Sequence, residues 1–252
     1  MRPGSRALTG AVLLAACLAA GFARGQEAPR NCDVPAYLLS TDSVLLKVAD
    51  SIKNTHSLKV LVIGSRSSTI VSSEASAYPA RLHAALKERL PSVAVDLSVE
   101  LQTGKTAEEV DANLVKLLEG KKPNLVIWQT GTVDAMRAVD PDDFRGAVDG
   151  GLAALQSAGA DVVLVNLQYS PRTETMISAP PYLDHLRVAA QQHDVPLFDR
   201  FSIMRHWNEV GDFDLFSTFP GVEMAKRVHA CLGRALSKFV LDAARLDPAQ
   251  QN

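Results

Sequence analysis

Leu58-Lys-Val-Leu-Val-Ile63 is short, rich in β-branched residues and almost wholly apolar, and it runs into Gly64 and the hydroxyl-rich loop Ser65-Arg66-Ser67-Ser68-Thr69. A strand without polar alternation must be covered on both faces, which a parallel sheet between two helix layers achieves. Gly64 lets the chain turn sharply at the strand's carboxyl end, where open α/β sheets bind ligands. The serine cluster there is a nucleophile candidate, although a plain hydroxyl-rich βα turn has the same appearance.

The rest of the chain repeats this alternation. A lead-in helix is expected from Ser43 to Asn54, capped by Thr41 or Asp42 and burying Leu45, Leu46, Val48, Ala49 and Ile52. Helices follow over 78–90, 106–118, 180–193, 201–210 and 222–244. Another begins at the Asp140-Pro141 cap and closes at Gly159. Strands are expected over 93–99, 124–128, 161–166 and 195–198. Five strands separated by helices predict an α/β fold, a three-layer α/β/α sandwich with a central parallel five-stranded sheet of flavodoxin-like type. The expected organisation is a signal peptide over 1–25, a lead-in segment over 26–57, the domain over 58–245 and a tail over 246–252.

Arg2 and Arg6 precede an apolar segment from Ala7 to Ala23, the pattern of a secretory signal whose removal leaves Gln26 first. A lipoprotein signal at Cys17 is the rival, but the apolar run continues past that cysteine. The expected location is periplasmic or secreted, with no transmembrane span once the signal is removed. Cys32 and Cys231 then remain, and in an oxidising compartment they read as one disulfide rather than two separate buried thiols. The 252 residues carry a formal net charge of -2 with mixed signs, which gives no reason to expect a nucleic acid partner. His56, His83, His185 and His193 show no ligand spacing, so neither a metal nor a cofactor is expected.

With these blocks in order, the sequence resembles the SGNH or GDSL hydrolase family from about Leu58 to Leu236. The family carries a Ser in a Gly-Asp-Ser turn, an oxyanion Gly, an Asn in Gly-x-Asn-Asp, and an Asp-x-x-His before the last helix. The first block is similar to Gly64-Ser65-Arg66-Ser67-Ser68-Thr69. Counting back from Thr69 makes Ser67 the candidate nucleophile, whereas counting forward from Gly64 puts Arg66 there, and Ser65 and Ser68 also compete for the position.

The second block resembles Thr103-Gly104-Lys105-Thr106, where the Gly104 N–H is the oxyanion donor and Lys105 adds charge. A tight turn capped by Thr106 is an equal reading. In the third block, Gly131-Thr132-Val133-Asp134, Val133 stands where the family has its donor Asn. In the fourth, Gly221 and Met224 hold the register, so that Pro220 and Glu223 replace the family's Asp and His.

The resemblance therefore implies an exported scaffold with an eroded catalytic set, a pseudoenzyme that binds a small molecule or an envelope protein. Arg66, Lys105, Gly131 and Val133 would line its cleft. The alternative is an active serine esterase of acyl or acetyl esters, with Ser67 as nucleophile, Gly104 as oxyanion donor and His206 or Glu223 as displaced base. His229 is a further candidate base. Phe213, Phe216 and Phe219 with Trp207 are expected to form a hydrophobic lid or core edge, or else a sugar-stacking surface.

Overall fold

The computed structural model describes Met1 and residues 32–216 and 221–246. The expected signal segment with Cys17, and most of the C-terminal tail, lie outside the described residues. So does Pro220.

In chain order the main elements are α1 (Leu46–Asp50), β1 (Ser57–Gly64), α2 (Tyr78–Arg89), β2 (Ala94–Leu101), α3 (Ala107–Asp111), α4 (Leu114–Leu118), β3 (Leu125–Gln129) and α5 (Thr132–Met136). They continue with α6 (Pro141–Ser157), β4 (Asp161–Val165), α7 (Pro171–Met176), α8 (Pro180–Gln192), β5 (Leu197–Phe198), α9 (Arg200–Glu209) and α10 (Gly221–Ala243). The five strands form one parallel sheet in the order β2-β1-β3-β4-β5. That order reverses direction between β1 and β3, which makes a topological switch point at their carboxyl ends.

Right-handed crossovers then place α2 on one face of the sheet and α3, α6 and α8 on the other. On the first face α10 lies against α2 so closely that a Cβ at Gly233 would sit 2.5 Å from Arg81 Cβ and 2.8 Å from the Leu82 nitrogen. Leu58, Leu61, Val62, Ile127, Trp128 and Val163 are all buried, as strands covered on both sides require. Cys32 and Cys231 form a disulfide across 199 residues, with Cα atoms 5.4 Å apart, which ties the segment ahead of α1 to α10.

Several local expectations differ from the structure. The lead-in helix is only α1 followed by a wider turn at Ser51–Thr55, and neither Thr41 nor Asp42 caps it. Tertiary partners replace the cap: Leu45 N–H donates to the Ala243 carbonyl at 3.0 Å, and Val48 N–H to Asp161 Oδ2 at 2.9 Å. Leu45, Val48 and Ile52 are buried as expected, but Leu46 faces out at 69% exposure. The helix expected over 106–118 is broken into α3 and α4, and α7 has no counterpart in the sequence reading. Asp140 does cap α6, accepting from Asp142 N–H at 2.9 Å and Asp143 N–H at 3.4 Å. Trp207 and Phe213 pack edge to face in the core, whereas Phe216 is exposed and Phe219 lies outside the described residues.

Candidate functional site

The loop after β1 folds back as a single tight turn over Arg66–Ser68, with Ser65 and Ser68 capping one another. Gly64 permits this approach, because a Cβ there would fall 2.3 Å from Ser68 Oγ. The turn directs the hydroxyls of Ser65, Ser67 and Ser68 toward the carboxyl end of β3, where Gln129 closes an otherwise apolar strand. Gln129 Nε2 donates to Ser65 Oγ at 2.8 Å and to Ser67 Oγ at 2.9 Å. Its Oε1 accepts from Ser68 Oγ and, at 3.3 Å, from the Tyr78 hydroxyl.

Arg200 enters the same cluster from the start of α9. Asn166 at the end of β4 fixes that start: its Oδ1 accepts from Phe201 N–H at 2.9 Å and its Nδ2 donates to Asp199 Oδ1 at 2.6 Å. Asp199 in turn caps the helix by accepting from Ser202 N–H at 3.0 Å. So held, Arg200 donates from Nη1 to Gln129 Oε1 and from Nη2 to Gln168 Oε1, both at 2.7 Å. Nη1 also reaches Ser67 Oγ at 3.4 Å. Arg200 is 1% exposed, and its buried Nε has no hydrogen-bond partner. Burial lowers its pKa to about 10, against the smaller opposing influence of the Tyr78 phenol, so the group is a cation at neutral pH. The Tyr78 ring lies beneath it at 5.9 Å, and burial raises that phenol's pKa.

His229 on α10 completes the inner wall. Its Nδ1 accepts from Tyr78 N–H at 2.9 Å, which assigns the ring proton to Nε2. Burial, and secondarily the Arg200 charge, lowers its pKa to about 3, so the imidazole is neutral. None of the three serines is hydrogen-bonded to an imidazole among the described residues. His206 is half-buried on α9, away from any such bond. Glu223 is exposed on the first turn of α10 and pairs with Lys226 at 2.7 Å.

Ser65, Lys105, Gly131 and Val133 meet around a cleft of about 10 Å³, room for roughly one water. Gly104 is outside that lining and forms a left-handed turn (φ +75). Thr106 caps α3 in a reciprocal box with Glu109, and Lys105 pairs with the same glutamate at 3.0 Å. Thr106 N–H first, then Lys105, hold the Glu109 carboxyl at about 2. Gly131 adopts φ +92, and a Cβ there would strike Leu167 Cδ1 at 2.6 Å, so only glycine fits. Val133 is half-buried and brings no donor, and Arg66 is exposed at the rim. Asp134 braces the second block against the third by accepting from Ala107 N–H at 2.8 Å.

Gln129, Gln168, Arg200 and Tyr78 were not read as site residues from the sequence. A polar signal did exist for Gln129, the one amide ending the buried run Leu125-Val-Ile-Trp-Gln129. Nothing local marks Arg200. Among the described residues no group of three or more acidic, histidine or cysteine side chains is arranged for a metal, and no helix is long and apolar enough to cross a membrane.

The sequence matches the non-GDSL lipase-like family over residues 31–246. No curated protein matches it significantly. Among solved structures it is similar to a two-domain esterase active on acetylated mannans, CEX, at TM-score 0.67 and 14% identity over 82% of this chain and 55% of that one. It also resembles the acetyl xylan esterase AlAXEase, at TM-score 0.58 and 16% identity over 74% and 99% of the two chains. A protein of the G-D-S-L family from Desulfitobacterium hafniense DCB-2 superposes at TM-score 0.51 with 17% identity over 70% and 98%. At such identities the likeness is one of fold, and function depends on the site. The family match across nearly all of the described residues, together with the five-stranded parallel sheet and its flanking helices, places the chain in the non-GDSL lipase-like family, on an SGNH/GDSL hydrolase-like scaffold.

Proposed function

We propose that this chain is an exported binding protein in which the SGNH cleft holds a ligand without hydrolysing esters through a serine and histidine pair. One observation carries the reading: Ser67 Oγ is surrounded by donors. Gln129 Nε2 at 2.9 Å and Arg200 Nη1 at 3.4 Å both point hydrogens at it, and its other neighbour is the Ser65 hydroxyl at 3.2 Å. A serine nucleophile needs a base to take its proton, and here the nearby imidazole already uses its lone pair on Tyr78 N–H. Val133 in place of an oxyanion asparagine points the same way, since losing one such donor typically costs about 10²–10³ in turnover.

The export part of the reading is supported by the basic and apolar N-terminal pattern and by the Cys32–Cys231 disulfide. Sequencing the mature N-terminus tests it: Gln26 is expected, and Cys17 would mean a lipoprotein.

Catalysis is tested with a fluorophosphonate probe and p-nitrophenyl acetate on the folded protein. The expected result is no labelling of Ser67 and a background rate that Ser67→Ala leaves unchanged. Serine-dependent turnover would instead establish the esterase reading, in which a displaced base, His206 or Glu223, serves Ser67.

A further inference from the structure

The sheet ends at β2, and the register of its parallel pairing with β1 decides which backbone groups point out of the sheet. Ala94 N–H donates to the His56 carbonyl at 2.8 Å and Gln102 N–H to the Gly64 carbonyl at 2.7 Å, so the even-numbered residues turn their backbone groups to β1. Val95, Leu97, Val99 and Leu101 therefore direct N–H and C=O to the open edge. His83 on α2 marks that side, because its Nε2–H donates to the Val95 carbonyl at 3.0 Å.

The same four side chains share one face of the strand. Leu97, Val99 and Leu101 line an open groove of about 400 Å³, together with Pro79, Ala80 and His83 of α2. Val99 and Leu101 are each 41% exposed. An open strand edge beside an apolar groove suits an extended peptide, whose backbone continues the ladder while alternate side chains enter the groove. An acyl chain would fill the groove and leave the outward N–H groups of Leu97, Val99 and Leu101 unused.

Charge selects the other positions of that peptide. Asp96 is exposed on the opposite face of β2, Glu74 is exposed on the groove, and Glu100 is paired with Lys121 at 3.0 Å. A basic residue at every second position meets Asp96. A second copy of β2 would instead bring its own Asp96 and Glu100 to the shared edge, and like charges across a strand pair are destabilising.

We propose that the groove between β2 and α2 takes an extended segment of a partner protein, alternating apolar and basic residues, as a further strand of the sheet. The proposal does not depend on whether the cleft at Ser67 binds or hydrolyses.

The test is fluorescence anisotropy of the purified protein with a labelled Val-Lys-Val-Lys-Val-Lys peptide and its Val-Glu-Val-Glu-Val-Glu counterpart. The lysine peptide is expected to bind at least about tenfold more tightly. Asp96→Lys, at an exposed position, is expected to reduce that preference at least about threefold. Val99→Lys is expected to abolish binding, and Ala80→Phe, which fills the groove from α2, to do the same if Val99→Lys perturbs the strand. Methylating the valine backbone nitrogens is expected to abolish binding, and methylating the lysine backbone nitrogens to leave it, as antiparallel addition requires. The reverse outcome supports the same site with parallel addition. An equal effect of the two methylations, equal affinity for the two peptides, or no binding of either overturns the proposal. A dimer in sedimentation that Val99→Lys dissociates overturns it as well, and assigns the edge to a second copy.

Discussion

Arg200 and Gln129 stand 71 residues apart in the chain, yet the guanidinium Nη1 donates to the amide Oε1 at 2.7 Å in the buried centre of the site. Through that amide the cation is coupled to Ser65 and Ser67, whose hydroxyls accept from the same side chain. Gln129→Leu removes the acceptor of a buried charge and the donor to two hydroxyls at once. It is expected to cost about 2–4 kcal/mol, read as a lower urea midpoint with an unchanged slope.

His229 makes stability depend on pH in one direction. Its pKa is about 3 in the fold, against 6.5 for an unperturbed histidine, so the unfolded chain binds more protons between those values. The contribution is fully present above pH 6.5 and is lost at up to about 1.4 kcal/mol per pH unit as pH falls toward 3. Asp134 opposes this, because burial raises its carboxyl pKa despite the Ala107 N–H that lowers it. Urea midpoints measured from pH 7 to 4.5 in wild type and His229→Gln isolate the histidine: the variant is expected to lose less stability across the acid range.

Gly233 sits where α10 meets α2, and the atoms nearest to a Cβ added at this position include the backbone of Arg81 and Leu82. Backbone cannot yield as a side-chain tip can. Gly233→Ala is expected to destabilise by about 1–3 kcal/mol and to shift the His229–Tyr78 contact, seen as a change in the His229 ring signals by NMR.

The Cys32–Cys231 bond closes a loop spanning 199 residues. In the chain-entropy account such a loop is worth roughly 5 kcal/mol, so reduction, or a Cys32→Ser and Cys231→Ser double variant, is expected to lower the guanidinium midpoint substantially. No change in midpoint on reduction would show that the crosslink does not constrain the unfolded chain.

The sequence by itself determined the parallel sheet, most of the long helices and the Asp140 cap, because each is written in a run of residues or a short motif, whereas the Cys32–Cys231 pairing was an expectation that the structure carries. Leu125 to Trp128 reads as a covered strand, and Asp140-Pro141 as a helix start, from the order of residues alone. Val133 and Glu223 likewise depart from the family pattern in the sequence itself. The tertiary structure alone decided that Leu46 turns outward, that α3 and α4 separate, and that Arg200 meets Gln129 and Ser67. A charge brought beside Ser67 from 133 positions away leaves no periodicity in the chain. Burial patterns are repeated over many residues and survive as a signal, whereas a site is made of single long-range contacts that exist only after the layers have packed.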